Sequence, residues 1–302
     1  MGPLPGQKTV LITGCTPAGI GHALALEFHA RGIYVIATAR RTSVLTDLAA
    51  LGMSTLALDV TKPESIKTCH EEVAKITGGT LDFLVNNAGR TYTLPATDLN
   101  MDEARDTFEI NVFGLMSMCA AFADQIIAAK GLIINMASLS AITPYAFGSV
   151  YCASKAAVMA YSRTLRIELR PFGARVMIAM AGNVRSLINS KPHADLPADS
   201  IYQPIEAEFQ RRLTFSQTHK TIKTEDFAQK LVGNALKPEW PVMLRRWFGR
   251  PDWFYAGGSA NRVWFATSLG EWVLDSIMYR MFKLDRFEKV LREQERQQRK
   301  LK

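Results

Sequence analysis

The sequence predicts an α/β protein built on a doubly wound parallel sheet, in a single domain with a C-terminal helical extension. Three observations carry this. Short apolar runs alternate with longer amphipathic stretches through the first 180 residues, the pattern of repeated strand–helix–strand units. The apolar runs are near-continuous rather than alternating, as strands are when helices cover both sheet faces. A glycine-rich turn joins the first apolar run to the first amphipathic one, between Thr13 and Gly21.

Thr9–Thr13 reads as the first strand, followed by the turn and a helix to about His29. Tyr34–Ala39 and Thr55–Leu58 are the second and third strands. Glu64–Ile76 reads as a helix, with Pro63 at its start, where the missing N–H costs nothing. Phe83–Val85 is the fourth strand, and Met101–Ala129 carries one or two helices. Leu132–Met136 is the fifth strand, Ser149–Arg170 a long helix and Arg175–Ala179 the sixth strand. Beyond Gly182 the pattern changes. Residues 183–225 are polar and helix-prone but broken by Pro192, Pro197 and Pro204. Near the carboxyl ends of the strands, such a segment suits a substrate lid. Residues 238–260 show no clear periodicity, and 261–302 read as helical. The expected division is a nucleotide-binding domain over 1–240, lid included, and an extension over 241–302.

Composition narrows the classes. Apolar residues make up 48% and charged residues 21% of the 302, ordinary values for a globular chain. Cys15, Cys69, Cys119 and Cys152 are scattered without a CxxC pair, which argues against a zinc site or a disulfide framework. It favours a reducing, cytoplasmic compartment. No uncharged apolar run approaches the ~18 residues that span a bilayer. The net charge is +8. Charge alone would admit a nucleic-acid binder, but no motif supports one.

The glycine turn has the features of a dinucleotide site. Gly14 permits the tight turn, Gly19 allows the backbone close to a pyrophosphate, and Gly21 lets helix and strand pack closely. The following helix offers free N–H groups to phosphates. Ile12, Thr16 and Ile20 flank this cradle, and a Rossmann fold follows from the strand–turn–helix context. The second strand ends Thr38-Ala39-Arg40-Arg41, with no acid to accept from an adenosine ribose hydroxyl. Two guanidiniums suit a 2′-phosphate instead, so the expected cofactor is NADPH/NADP+.

Tyr151 and Lys155 are four residues apart on a predicted helix and so share a face. An ammonium beside a phenol favours the phenolate, making the phenol a usable acid or base. Ser138 lies thirteen residues before Tyr151, and its hydroxyl can hold a carbonyl oxygen in front of the phenol. Ser140 is a rival for that place. The trio is a proton-transfer device for a ketone or an alcohol.

Taken together, these motifs resemble the short-chain dehydrogenase/reductase family, from about Lys8 to about Ser186. The match rests on several motifs in order: the glycine loop, Asp59-Val60 after the third strand, Asn86-Asn87-Ala88-Gly89 after the fourth, Asn111, Ser138, Tyr151 and Lys155. The wording of the glycine-loop and ATARR segments is similar to fungal acyl-dihydroxyacetone-phosphate reductases and secondary-metabolism ketoreductases. The resemblance implies that Asp59 and Val60 contact the adenine end of the cofactor, and that Asn87, Ala88 and Gly89 line its path. It implies that Gly182, Val184 and Ser186 cover the nicotinamide. Lys155 would bind the nicotinamide ribose and lower the pKa of Tyr151, Tyr151 would donate the proton, Ser138 would hold the substrate oxygen, and Asn111 would help place a water. One departure is Ala181, where the family usually has proline. The resemblance further implies a homodimer or homotetramer.

The expected activity is ketone reduction, or its reverse, on a bulky apolar substrate such as a secondary-metabolite ketone. Reduction of an acyl-dihydroxyacetone phosphate is the alternative. A cofactor-binding protein without redox turnover would have no use for all four of Asn111, Ser138, Tyr151 and Lys155. In the tail, Phe265, Leu269, Trp272, Ile277 and Met281 fall near helical spacing. With Arg280, Lys283 and Arg286 they could rest on an anionic membrane, placing the protein on endoplasmic reticulum or lipid droplets. Packing of that stripe on the protein's own lid or on a partner subunit is the other reading.

Overall fold

The computed structural model describes residues 2–185, 195–241, 244–245, 248–258, 260–267 and 269–301. Seven parallel strands form one sheet in the order β3-β2-β1-β4-β5-β6-β7. They are β1 Thr9–Ile12, β2 Tyr34–Ala39, β3 Ser54–Ala57, β4 Phe83–Asn86, β5 Leu132–Ser138, β6 Arg175–Ala181 and β7 Trp253–Ala256. The order reverses between β1 and β4. That break opens a crevice at the carboxyl ends of the strands, where ligands bind in such sheets.

Successive side chains of a strand point to opposite faces, and the sheet separates two cores on that basis. Val10, Ile12, Val35, Ala37, Val85 and Ile134 face one layer. It is made by α1 (Ile20–Ala30), α2 (Thr46–Ala50) and α9 (Thr224–Ala235), with Leu24, Phe28, Leu48, Phe227 and Leu231 fully buried. Leu11, Ile36, Leu84, Ile133 and Ile178 face the other. That layer contains α3 (Pro63–Thr77), α5 (Gly114–Ala121), α6 (Ala123–Ala128) and α7 (Ser149–Leu169). Burial on both faces explains the continuous apolar runs. Edge strand β3 is only partly buried.

The segment expected as one or two helices is four pieces: α4 (Met101–Phe108), a π-helical turn (Glu109–Phe113), α5 and α6. The Asn100 side chain caps α4, accepting from the amides of Asp102 and Glu103 at 2.9 and 3.2 Å. π-Turns of this kind are rare and concentrate at functional sites.

The seventh strand lies inside the segment assigned to the extension, so the sheet runs past residue 240 and takes its edge from there. β7 is short and is set by distant partners. Arg175 at the start of β6 pairs with Asp252 and Glu239. Arg245 reaches Asp252 at 3.2 Å and Arg250 reaches Glu239 at 3.0 Å. Ala181 aligns with Ser138 on one side and Ala256 on the other. A proline there could not donate to either ladder, which gives a physical reason for alanine at this position.

Three further helices close the chain: α10 (Ala260–Thr267), α11 (Glu271–Met281) and α12 (Leu284–Leu301). α10 returns Ala260 and Val263 to the sheet core. The lid helix α8 (Glu206–Thr218) buries Phe209 and Leu213 in a third cluster with Tyr92, Phe147, Val150 and Phe287. The tail thus packs on the lid. The apolar stripe chosen from the sequence is the outward one: Phe265 is 61% and Trp272 72% exposed. Leu274, Met278 and Phe282 face inward. Gly270, at φ 109°, breaks the segment into two helices, so one periodicity does not run through it. No described helix is long and apolar enough to cross a membrane.

Candidate active site

The glycine turn folds against the start of the β4–α4 connection. Gly14 has φ +75°, and a Cβ there would lie 3.1 Å from Ala88 Cα. At Gly21 a Cβ would come within 2.5 Å of both Asn87 Nδ2 and the Gly14 carbonyl oxygen, so only glycine fits. Asn87 Nδ2 donates to the carbonyls of Thr13 and Gly14 at 2.9 and 3.1 Å. The Thr13 hydroxyl oxygen accepts from the amides of Asn87 and Ala88, each at 2.9 Å. The Asn87 side chain is therefore occupied in clamping two loops together. Thr13 belongs to this clamp, although the sequence offered no reason to single it out.

α1 begins immediately after Gly19, with no capping side chain and no acid in its first turn. Its N-terminal amides are thus available to an anion. Thr16 is exposed on the turn, and its carbonyl accepts from Gly19 N at 3.1 Å. Ile20 lines the cleft. Ile12 is fully buried in the core, and so is Thr38, whose hydroxyl donates to the Ile12 carbonyl at 3.0 Å. These two shape the site from behind.

Arg40 and Arg41 are both exposed at the end of β2. Burial opposes ionisation of Asp59, but the Thr61 amide and hydroxyl, together with Arg40 and Lys62, outweigh it. They hold the Asp59 carboxyl below its usual range. Val60 is buried beside it. The residues at this end fit a dinucleotide with a 2′-phosphate: an acid-free helix start, a cradle that tolerates no Cβ at Gly21, and exposed guanidiniums at the β2 end.

The proton-transfer group sits across the crevice. Ser138 ends β5, and Tyr151 and Lys155 lie in the first two turns of α7. α7 is held in register by buried polar contacts. Asn86 Nδ2 donates to Asn135 Oδ1 at 2.9 Å, and Asn135 Nδ2 donates to Ser162 Oγ at 2.9 Å. Asn111, in the π-turn, donates from Nδ2 to Ser154 Oγ at 3.1 Å and to the Arg90 carbonyl at 2.9 Å. Its Oδ1 accepts from Arg90 N at 2.8 Å. Asn111 thereby ties α7, the π-turn and the Gly89–Arg90 loop together.

Lys155 Nζ donates to the Met136 carbonyl at 2.8 Å and lies 5.9 Å from the centre of the Tyr151 ring. Burial pulls its pKa down to about 8. Burial pushes the Tyr151 phenol up to about 12, the hydrogen bond with Ser138 pulling the other way. This corrects the expectation that Lys155 lowers the Tyr151 pKa. The ammonium is held by a backbone carbonyl, and desolvation of the phenol dominates. Tyr151 stays protonated at neutral pH, the form that a proton donor needs. Of the two serines, Ser138 is the one whose hydroxyl acts on the Tyr151 phenol. Ser140 Oγ is buried without a partner among the described residues.

Ser138, Tyr151 and Lys155 open into a cleft of about 1020 Å³, part of it open to solvent. Asn87, Gly89, Gly182 and Val184 line it too; Ser186 lies outside the described residues. Gly182 packs directly on Gly257 and Gly258 of the β7 end, where a Cβ would meet Gly258 O at 2.5 Å. The far wall comes from Tyr145, Arg212, Phe215 and Gln217, three of them on lid helix α8. None of these four was marked from the sequence, because nothing local distinguishes three of them from surface helix residues or Tyr145 from an ordinary connection residue. Of the cysteines, Cys15, Cys69 and Cys119 are buried, and burial pushes each up to about 12.

Residues 8–196 match the family model of the short chain dehydrogenases. The chain belongs to this family. It is 41% identical over 274 residues to an NADPH-dependent 1-acyldihydroxyacetone phosphate reductase of Schizosaccharomyces pombe, covering 86% of this chain and 90% of that one. It is 38% identical to a short-chain dehydrogenase of Hypocrea virens, covering 92% and 93% of the two chains. Among solved structures, a short-chain dehydrogenase from Streptomyces avermitilis superposes with a TM-score of 0.73 at 30% identity, over 95% of this chain and 98% of that one. This chain is accordingly an oxidoreductase.

Proposed function

We propose that this enzyme reduces a ketone to a secondary alcohol with NADPH, acting on a bulky, largely apolar substrate. The observation that carries the reading is the convergence of Ser138, Tyr151 and Lys155 on one cleft, with Lys155 Nζ held by the Met136 carbonyl at 2.8 Å and 5.9 Å from the centre of the Tyr151 ring. Bound NADPH supplies the hydride. Gly14, Gly19, Gly21 and the start of α1 hold its pyrophosphate, and Arg40, with Arg41, holds its 2′-phosphate. Lys155 binds the nicotinamide ribose. Ser138 donates to the carbonyl oxygen and fixes it against the Tyr151 hydroxyl. As negative charge develops on that oxygen, Tyr151 passes its proton to it. Preorganised donors at such an oxygen are each worth several kcal/mol, typically about 3–4. Asn111 positions Lys155 and Tyr151 by locking α7 to the π-turn. Tyr145 and Phe215 supply an apolar wall, with Phe282 packed against both rings.

The test is turnover of a ketone panel followed by NADPH oxidation. Tyr151→Phe is expected to lose about 10²–10⁴-fold in kcat while NADPH binding persists. Turnover near that of the wild type would remove Tyr151 from the chemistry. A wild-type preference for NADH would overturn the role given to Arg40.

A second reading of the substrate, an acyl-dihydroxyacetone phosphate, is favoured by the 41% identity to the S. pombe enzyme over most of both chains. The outward stripe of Phe265, Leu269 and Trp272, with Arg280 and Arg286 exposed nearby, supports peripheral contact with an anionic membrane. Flotation with anionic liposomes that Trp272→Glu leaves undiminished would end that idea. Truncation is a poor test, because removing the tail from residue 252 takes β7 out of the sheet.

A further inference from the structure

The substrate end of the cleft holds a cation that the mechanism does not use. Arg212 projects from α8 into the wall that also carries Ser138, Tyr145 and Tyr151. Its Nε donates to the Ala146 carbonyl at 3.0 Å. Its guanidinium carbon lies 5.4 Å from the ring centres of both Tyr145 and Phe282. Gly148 leaves room for it, since a Cβ there would sit 3.1 Å from Nη2. These contacts fix the group from its Nε side and cover it with rings.

No carboxylate pairs with Arg212 among the described residues, and neither Nη atom donates to a described residue. Residues 186–194, Ser-Leu-Ile-Asn-Ser-Lys-Pro-His-Ala, include no aspartate or glutamate. The contrast with Arg90, the other arginine lining the cleft, is direct, because Arg90 is paired with Glu103. Burial pulls the Arg212 pKa down, and the groups acting against that are Tyr145, Cys152 and Tyr151, none of them anionic at neutral pH. Removing a cation from water without a counterion is costly. Two aromatic faces offset part of that cost. The remaining edge of the guanidinium presents its Nη donors, in the fork that matches a carboxylate or a phosphate. Ser140 Oγ, buried and unpartnered, lines the same cleft.

We propose that Arg212 determines substrate specificity by binding an anionic group, a carboxylate or a phosphate monoester, that the ketone carries close to its reacting carbonyl. This rests on the ketone-reductase reading for the word ketone, and on the geometry alone for the anion. The apolar remainder of the substrate lies along Phe215 and Tyr145, and Arg212 sets the register of the carbonyl against Ser138 and Tyr151.

The test compares charged and neutral members of matched ketone pairs: acetoacetate with methyl acetoacetate, and dihydroxyacetone phosphate with dihydroxyacetone. Each is assayed by NADPH oxidation with wild type, Arg212→Lys and Arg212→Met. The wild-type ratio of kcat/KM, charged over neutral, is expected at about 10–150, the value of one charge-assisted hydrogen-bonded pair. In Arg212→Met it should collapse towards unity, with Arg212→Lys between. The pair that shows the larger ratio names the anion. A parallel arm needs no turnover: calorimetric titration of the NADP+-saturated proteins with inorganic phosphate and with acetate. Saturation with NADP+ fills the Arg40 phosphate site, so any remaining anion binding reports on the cleft. Binding by wild type that Arg212→Met loses supports the anion site even if no ketone is consumed, and in that case only the ketone reading falls. A wild-type ratio near unity, a ratio unchanged in Arg212→Met, or anion binding equal in both proteins would overturn the proposal and leave Arg212 as a packing element between two rings.

Discussion

The two halves of the active-site cleft are built by different means. The cofactor half, from β1 to the start of α7, rests on backbone proximity. Glycines stand where a Cβ has no room, loops are clamped by Asn87 and Thr13, and the donors come from strand ends. The substrate half, from residue 183 to the C-terminus, rests on side chains from distant segments. Phe282 meets Tyr145 and Phe215 at ring-centre distances of 5.8 and 5.3 Å, and Phe287 meets Tyr202 at 5.5 Å. The first kind of construction tolerates almost no change. The second can be repacked, and it is where a family of one chemistry acquires different substrates.

The largest difference should appear at Gly21. Gly21→Ala places a methyl within 2.5 Å of a backbone carbonyl and of the clamped Asn87 amide, so the turn itself must shift. Overpacking of this kind costs about 1–3 kcal/mol. If that strain falls on the nucleotide-bound form, the Kd for NADPH rises roughly 5–150-fold. Fluorescence titration with NADPH measures it. An affinity within about twofold of wild type would show that the turn yields more than its contacts indicate.

The same division explains what could be read in the sequence. The sheet to β6, the glycine turn and the Ser138–Tyr151–Lys155 group were legible because each is written in consecutive or helically spaced residues. β2 runs over the predicted residues 34–39, and α7 ends one residue short of prediction. β7 was not legible. It is four residues long and is placed by Asp252 pairing with Arg175, 77 positions away. The tail stayed open for a related reason. An apolar stripe selects a face but not what covers it, and Phe265 and Trp272 lie outward on either side of Gly270. Arg212 carried no local signal, since only the three-dimensional arrangement shows that no carboxylate pairs with it among the described residues. The Tyr151 ionisation was read with the wrong sign. Spacing reveals Lys155 as a neighbour of Tyr151, but not that the Met136 carbonyl takes its ammonium.

That ionisation gives the second prediction, which probes how deeply the cofactor half is desolvated. Tyr151 remains a proton donor until about pH 12, whereas Lys155 loses its charge as pH rises through about 8. Reduction should therefore be level below pH 7.5 or so and should fall above about 8, approaching tenfold per pH unit as a single ionisation does. Alcohol oxidation needs a deprotonated Tyr151 and should rise with pH instead. In Lys155→Met the falling limb should disappear from a much reduced rate. A profile of kcat/KM for reduction that stays flat to pH 10 in wild type would mean that the Lys155 charge is not required.

The smallest effect is expected in the substrate half, and it sharpens the contrast from the other side. Phe282 is buried against Tyr145, Phe215 and Arg212. Truncating a buried phenylalanine typically costs about 3–5 kcal/mol. Here the loss falls on the docking of tail against lid, and local opening of such a unit need not unfold the sheet. Phe282→Ala should raise KM for the ketone severalfold and leave the Kd for NADPH unchanged, as Phe282 touches neither the glycine turn nor the Asn87–Thr13 clamp. Trp272, 72% exposed on the neighbouring face, supplies the control: Trp272→Ala should alter neither constant. Equal loss of NADPH affinity in Phe282→Ala would show that the tail supports the cofactor half after all, and that the two halves stand or fall together.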